Sequence, residues 1–317
     1  VTFKCLRGSI GAAALGDERL LMNFPRSTFI FIWLLLGSLP CRADDVATRR
    51  EPLVLSEGGT PDQPFVFDGQ AMIIDLGIDV TDNEWSVQGD LVRSLGPIED
   101  RIPIAAGQLA GLFIDEIPLS LPRDVAAERL NPERKQFCYV AIEKLKPGEM
   151  GYEEDGSVYF RMPLAKTFGQ CKIILPPMPG TSCVSIQASY VTVRNLTAKY
   201  AANDGFNFHG SSQGIRLENV RAFSNADEGI SAHGTCEVTV VDSEVAFNGS
   251  AAGGVADVGD SVTSYKRCHV HDNLGVAFYL NGRHHRVFNC RTENNRKPIV
   301  VVGEAIVETD LEHDSKP

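Results

Sequence analysis

No Cys-x-x-Cys pair occurs among the eight cysteines, so a thiolate zinc site or a dithiol redox motif lacks its usual ligand spacing. No apolar run approaches the roughly 20 residues that a membrane-spanning helix needs; the run Phe29–Leu36 holds eight. Positive charge is scarce. Thirty Lys+Arg face 41 Asp+Glu, for a net charge of -11, which argues against non-specific binding to nucleic acid or to an anionic membrane. The framework of a leucine-rich repeat is missing from the C-terminal half, and so is room there for a helix of ordinary length. What remains, with 43% hydrophobic and 22% charged residues, is the composition of a globular chain able to bury a sizeable core.

The N-terminal region has the pattern of an export signal. Arg26 precedes the apolar run, and Cys41 and Ala43 stand at the -3 and -1 positions before Asp44. The spacing predicts initiation at Met22, with residues 1–21 upstream of the true start, and a mature chain beginning at Asp44. The expected location is outside the cytoplasm (periplasmic, cell-surface or extracellular), as a monomer with no membrane anchor in the mature form. Six cysteines, at 138, 171, 183, 236, 268 and 290, follow the signal. An even number in an exported chain permits disulfides.

The C-terminal half repeats itself at a shift of 24. Asp204-Gly205-Phe206-Asn207-Phe208-His209-Gly210 aligns with Glu228-Gly229-Ile230-Ser231-Ala232-His233-Gly234, then with Ala252–Val258 and Val276–Gly282. A second apolar segment recurs upstream in each unit, as in Val191-Thr192-Val193, Ile215-Arg216-Leu217 and Val238-Thr239-Val240. An asparagine recurs at 225, 248, 273 and 295, at spacings of 23, 25 and 22. A propeller blade needs about 40 residues. Coils of 22–25 residues with short strands between Asn, Asp and Gly turns require a single-stranded solenoid, a right-handed parallel β-helix, whose coils stack at about 4.8 Å.

Strand parity assigns the faces. Phe206, Ile230, Gly254 and Phe278 are expected to form one inward column, and Phe208, Ala232, Ala256 and Leu280 the next. Asn207, Ser231, Val255 and Tyr279 are expected outward, as are His209, His233, Asp257 and Asn281 two residues further on. Asn195, Asn219, Asn225, Asn248, Asn273 and Asn295 are expected at left-handed corners, which Asn tolerates. Gly205 and Gly229 are expected at backbone corners. His269, His271, His284 and His285 are expected to be solvated or in turns, with no metal role. Cys268 and Cys290 occupy equivalent slots, as stacked thiols or a disulfide.

The first half breaks the rhythm. The expected division is an N-terminal cap and first coils over 44–79, a β-rich insertion over 80–172, parallel coils over 173–303 and a tail over 304–317. Hairpins are expected around Trp85–Val87, Leu112–Glu116 and Ser157–Pro163, with one short helix at Pro122–Leu130.

At Asn203–Gly210 and Asn219–Asn225 the sequence resembles the pectin-lyase-like family of right-handed parallel β-helix proteins, over about residues 184–303. That resemblance implies an all-β solenoid acting on a polysaccharide, as a lyase, a glycoside hydrolase or a non-catalytic binding protein. Asp227-Glu228-Gly229 is similar to the acidic pair of polygalacturonases and His233-Gly234 to their His-Gly, but no Arg-Ile-Lys follows.

The expected catalytic residues are Asp204, His209, Glu228, His233 and Asp257. Asn207, Ser231, Tyr279, Asn281 and Arg283 are expected to bind substrate. A hydrolase needs an acid and a carboxylate, and Asp204 and Glu228 would stack on adjacent coils. A uronate lyase needs a base, an acid and a cation; His209, His233 or Tyr279 would serve first, with Lys199, Lys266, Arg267 or Arg283 as cations. Calcium bound through Asp204, Asp227 or Glu228 is the one cofactor these residues suggest, although they form no defined calcium loop. An anionic, uronate-containing chain is the expected substrate.

Overall fold

The computed structural model describes residues 46–98, 110–122, 141–153 and 155–311. The export signal, the segment upstream of it, Cys138 and the helix expected beyond Pro122 lie outside the described residues.

Short strands alternate with turns and stack in parallel on their equivalents one coil away. The first ladder is a seven-stranded sheet: Leu53–Leu55, Val184–Ile186, Phe206–Phe208, Ile230–Ala232, Gly253–Val258, Val276–Asn281 and Ile299–Val301. Two long strands, Phe65–Asp75 and Val191–Lys199, turn a corner and serve both remaining ladders. The second continues through Ile215–Glu218, Glu237–Val241, Val262–Lys266, His284–Phe288 and Ile306–Thr309. The third begins at Thr48–Arg49 and continues through Arg221–Phe223, Glu244–Ala246, His269–His271 and Arg291–Glu293. The protein is an all-β, right-handed parallel β-helix.

The interior is a continuous apolar column in which Val184, Phe206, Ile230, Val255, Phe278 and Ile299 follow one another in register. Two turn columns close each coil. Left-handed residues recur at Asn195, Asn219, Asp242, Arg267 and Asn289, and again at Tyr200, Ser224, Phe247, Asp272 and Asn294. Asn225, Asn248, Asn273 and Asn295 are therefore not the left-handed residues; each follows one. They form an amide ladder: Asn225 Nδ2 donates to Asn248 Oδ1 at 2.9 Å, Asn248 to Asn273 at 2.9 Å, and Asn273 to Asn295 at 3.0 Å. Gly205, Gly229 and Gly254 lie against this ladder. A Cβ at each would meet an Asn225, Asn248 or Asn273 amide nitrogen at 2.6–2.7 Å, so close approach, and not a special φ, requires glycine there.

The solenoid leaves its axis after Asp75 and resumes at Val184. Between them lie two four-stranded antiparallel sheets. One comprises Trp85–Gln88, Leu91–Ser94, Val158–Arg161 and Met150–Tyr152; the other Ile78–Asp79, Ile173–Leu175, Ala110–Ile114 and Ile117–Ser120. The expected edges at 79/80 and 172/173 move outward, because Ile78–Asp79 and Ile173–Leu175 pair with each other. Val92, Leu112, Met150 and Phe160 give the insertion its own core. Part of the expected tail is the last coil, since Ile306–Thr309 pairs with His284–Val287. Cys171, Cys183, Cys236, Cys268 and Cys290 are free thiols.

Candidate functional site

Asp204 and Glu228 hold equivalent places just before the first-ladder strands Phe206–Phe208 and Ile230–Ala232. The Gly205 N–H donates to Glu228 O at 3.0 Å and fixes one coil over the other. Asp227 precedes Glu228, and oxygens of all three carboxyls lie within 4.8 Å of one another. Asp204 is buried, while Asp227 and Glu228 are half-buried.

Asp204 Oδ2 accepts from Asn203 Nδ2 at 3.0 Å and from Asn207. Among the described residues its Oδ1 meets no hydrogen-bond donor, and the Glu228 carboxyl lies close by, within 4.8 Å. Two carboxyls this close disfavour double ionisation, so one tends to keep its proton. Burial, then the charge of Asp227, pushes Asp204 up to about 7. Burial, then the charge of Asp204, pushes Glu228 up to about 8. Ser250 Oγ donates to Glu228 Oε1 at 2.5 Å and partly offsets this. At neutral pH the pair holds a proton that it can give up, next to a further acid.

Along the same two strands, Asn207 faces Ser231 in register. His209 and His233 then stack with ring centroids 4.2 Å apart and planes 9° apart. Ser231 Oγ lies 2.8 Å from His233 Nε2. Burial, then the neighbouring His209, lowers His233 to about 4, so it is neutral near pH 7. Its neighbour His209 is exposed.

Asp257 does not join this group. It pairs in register with Ala232, not with His233, so it points into the coil and is fully buried. The same shift places Val255 inward and Ala256 outward, reversing the expected columns. The cause is turn length. Val255 follows Asn248 by seven positions, whereas Ile230 follows Asn225 and Phe278 follows Asn273 by five. The turn is two residues longer while the interval from Asn225 to Asn248 is 23, one short of the repeat, so Val255 stands 25 after Ile230, and a net shift of one residue reverses every face. The odd spacings of 23 and 25 on either side of Asn248 carried that signal.

Inside the coil, Asp257 Oδ2 accepts from Thr263 Oγ1 at 2.7 Å, and the Tyr265 hydroxyl lies 3.0 Å from both carboxylate oxygens. His285, expected in a solvated turn, is also fully buried. Its Nε2 accepts the Gly282 N–H at 3.0 Å, so its Nδ1 bears the hydrogen facing Thr263 Oγ1 at 2.8 Å. This polar chain is closed from solvent and sequence parity missed it.

Tyr279 and Asn281 point outward but are separated from Ser231 and His233 by Ala256 and Val258. Arg283 is exposed in the turn beyond them. The structure thus brings together Asp204, Asp227, Glu228, Asn207, Ser231, His209 and His233, and sets Tyr279, Asn281 and Arg283 apart. Asn207 and Ser231, although outward, are buried. The three acids offer oxygen ligands suited to a hard cation such as calcium, but three carboxylates supply only part of the six to eight oxygens it takes.

A family model described as "Right handed beta helix region" matches residues 182–312, under half of the chain. A solved structure titled "The complex structure of XylC with xylose" is 11% identical, with a TM-score of 0.39, over 83% of this chain and 60% of that one; the chain thus spans less than two thirds of it. A second, titled "Glycoside hydrolase", is 9% identical, with a TM-score of 0.30, over 82% of this chain and 87% of that one. At these scores neither title transfers. No curated protein matches. The family model and the stacked ladders agree on residues 182–312, which are a right-handed β-helix region.

Proposed function

We propose that this is an exported β-helix protein that binds an extracellular polysaccharide and hydrolyses its glycosidic bonds at the Asp204–Asp227–Glu228 cluster. The carrying observation is the clustering of three carboxyls, their oxygens within 4.8 Å of one another, around the buried Asp204. Glu228, held protonated by burial and by Asp204, donates to the leaving glycosidic oxygen. Asp227 attacks the sugar carbon as that bond breaks, and a water deprotonated by Glu228 then displaces Asp227 and frees the sugar. Asp204 acts through Glu228 by sustaining its proton affinity. The separation, with oxygens within 4.8 Å, resembles the spacing of about 5 Å used with retention of configuration more than the wider inverting spacing.

Local electrostatics favour a neutral glycan over the anionic one expected from sequence. The charge on Asp227 and the partly ionised Asp204–Glu228 pair repels a uronate, and Lys199, one of the expected cations, is engaged with Glu116 at 3.8 Å. Arg267 is likewise paired, with Asp242 at 2.6 Å. A non-catalytic binding role is the second reading. It is favoured by the burial of Asp204, Asn207 and Ser231, which restricts substrate access to the acids.

The test is reducing-end release from a panel of neutral and acidic glycans, with absorbance for unsaturated uronate followed in parallel. Hydrolysis of a neutral glycan by the wild type and its loss in Glu228→Gln supports the proposal. Unsaturated product would replace hydrolase by lyase, and binding without product would support the second reading. Export is tested separately by N-terminal sequencing of secreted protein, with Asp44 as the expected first residue.

A further inference from the structure

A different cluster occupies the outer face of the third ladder. His269 and His271 alternate with Val270 on one strand, so both imidazoles project from the same side. Their rings stack at 4.1 Å between centroids. Glu244, on the preceding coil, is in register with His269. One ligand atom from each of Glu244, His269 and His271 lies within 4.8 Å of the others. All three side chains are partly shielded, His271 most of all at 12% exposed.

The surrounding bonds orient these groups. His271 Nδ1 lies 2.6 Å from Asp272 Oδ2, while its Nε2 lies 3.0 Å from Glu244 Oε1. Arg221 occupies the other Glu244 oxygen at 3.1 Å, leaving Oε1 toward the imidazole. His269 Nε2 lies 2.8 Å from Glu293 Oε1, and Arg291 holds Glu293 Oε2 at 2.6 Å. The edge of Phe247 packs near His271, with centroids 5.8 Å apart.

The decisive feature is His271, whose two ring nitrogens face two carboxylates. A neutral imidazole has one N–H. With that hydrogen directed to Asp272, a cation must stand between Nε2 and Glu244, either a second proton or a metal ion. A carboxylate behind one nitrogen and a bare second nitrogen is the arrangement that orients a metal-bound histidine. Two imidazoles and one carboxylate suit a borderline-soft divalent ion and leave a coordination position open to water.

We propose that Glu244, His269 and His271 bind a divalent transition-metal ion of the zinc class, stapling two adjacent coils. Asp272 is a positioning residue that holds the His271 ring. The site lies on a different ladder from the first-ladder acids and does not depend on the hydrolase reading.

The experiment uses the full chain stripped with a chelator. Zinc is titrated by calorimetry, and cobalt(II) by its visible d–d bands, which report imidazole and carboxylate ligation directly. The expected result is saturable binding of one equivalent and a higher melting temperature with zinc. His271→Ala and His269→Ala should each weaken binding by about 100-fold or more, and Asp272→Asn by about 10- to 100-fold. Glu228→Gln should leave it unchanged. Absence of saturable binding by the wild type would mean that a proton alone fills the gap and would overturn the proposal. So would binding that survives both histidine substitutions, or that disappears in Glu228→Gln. The wild-type cobalt spectrum decides the matter even where a substituted chain fails to fold.

Discussion

Two buried carboxyls of this protein, Asp204 outside the coil wall and Asp257 inside it, are both pushed up to about 7 by burial. Their surroundings differ in kind. Asp257 is answered by two hydroxyls, from Thr263 and Tyr265. Asp204 faces a second carboxyl and a nearby third. A raised proton affinity therefore does not mark a reactive group. An acid answered by neutral donors inside a sealed coil is a structural solution, whereas acids gathered on the wall's edge keep an exchangeable proton between them.

The largest expected effect separates the two. Glu228→Gln should reduce turnover on a responsive glycan by about 1,000-fold, the scale of removing a general acid, without loss of thermal stability. Asp257→Asn should leave turnover within a few-fold of wild type. Equal losses in both, with both folded, would dissolve the distinction.

Stability against pH should reverse their order. Asp257 has an ordinary value near 3.8 and a folded value of about 7. Its contribution is fully present below pH 4 and is lost as pH rises through 7. Asp257→Asn should remove that loss, so denaturant curves for the variant and the wild type should diverge from pH 4 to pH 8. The variant should become relatively more stable, on the order of 2–4 kcal/mol. His285 acts with the opposite sign. Burial, then His284, lowers it to about 4, so its contribution is present above 6.5 and lost as pH falls through 4. The acid limb should survive in Asp257→Asn. A parallel pair of curves would show that Asp257 is not the group titrating.

The amide ladder runs through successive coils against Gly205, Gly229 and Gly254. Asn248 accepts from the Asn225 N–H and side chain, and donates to Asn273 and to Ala222 O at 3.1 Å. Asn248→Ala strands several buried groups, each costing about 1–3 kcal/mol. A loss of about 3 kcal/mol is expected by denaturant titration. Asn219→Ala, which removes a bond to Asn195 on an exposed corner, should cost less than half as much. Equal costs would mean that position in the ladder carries no special weight.

Particular residues show what sequence could reveal. The 24-residue shift identifies equivalent positions, so Asp204 over Glu228 and His209 over His233 followed from arithmetic and parity. The same arithmetic fails at Asp257 because the interval before Asn248 is one residue short and the turn after it two residues long, a net shift of one that a period averaged over coils conceals. His285 was placed in a turn because its run of charged neighbours resembles solvated sequence; only alternation along His284–Phe288 puts it inside. Asp227 reads from sequence as the partner of Glu228 and as a calcium ligand, and the structure puts its carboxyl within 4.8 Å of Asp204 and Glu228. The burial of outward Asn207 and Ser231 depends on packing from outside their own strands, which no repeat encodes.

The smallest expected effect compares the two low-titrating histidines. His233 on the wall and His285 within the coil are both lowered to about 4, each by burial first and then by a neighbouring histidine. The neighbours differ: His209 stands one coil away, His284 one residue away. His209→Ala should raise His233 modestly in an NMR titration and leave His285 where it is, because desolvation, the larger cause, remains in both. His284→Ala should do the converse. A full return of His233 to its ordinary 6.5 would mean that the stacked ring, and not burial, sets its charge. The histidine row would then be open enough to water to receive a ligand directly, and the contrast between the wall and the coil interior would widen.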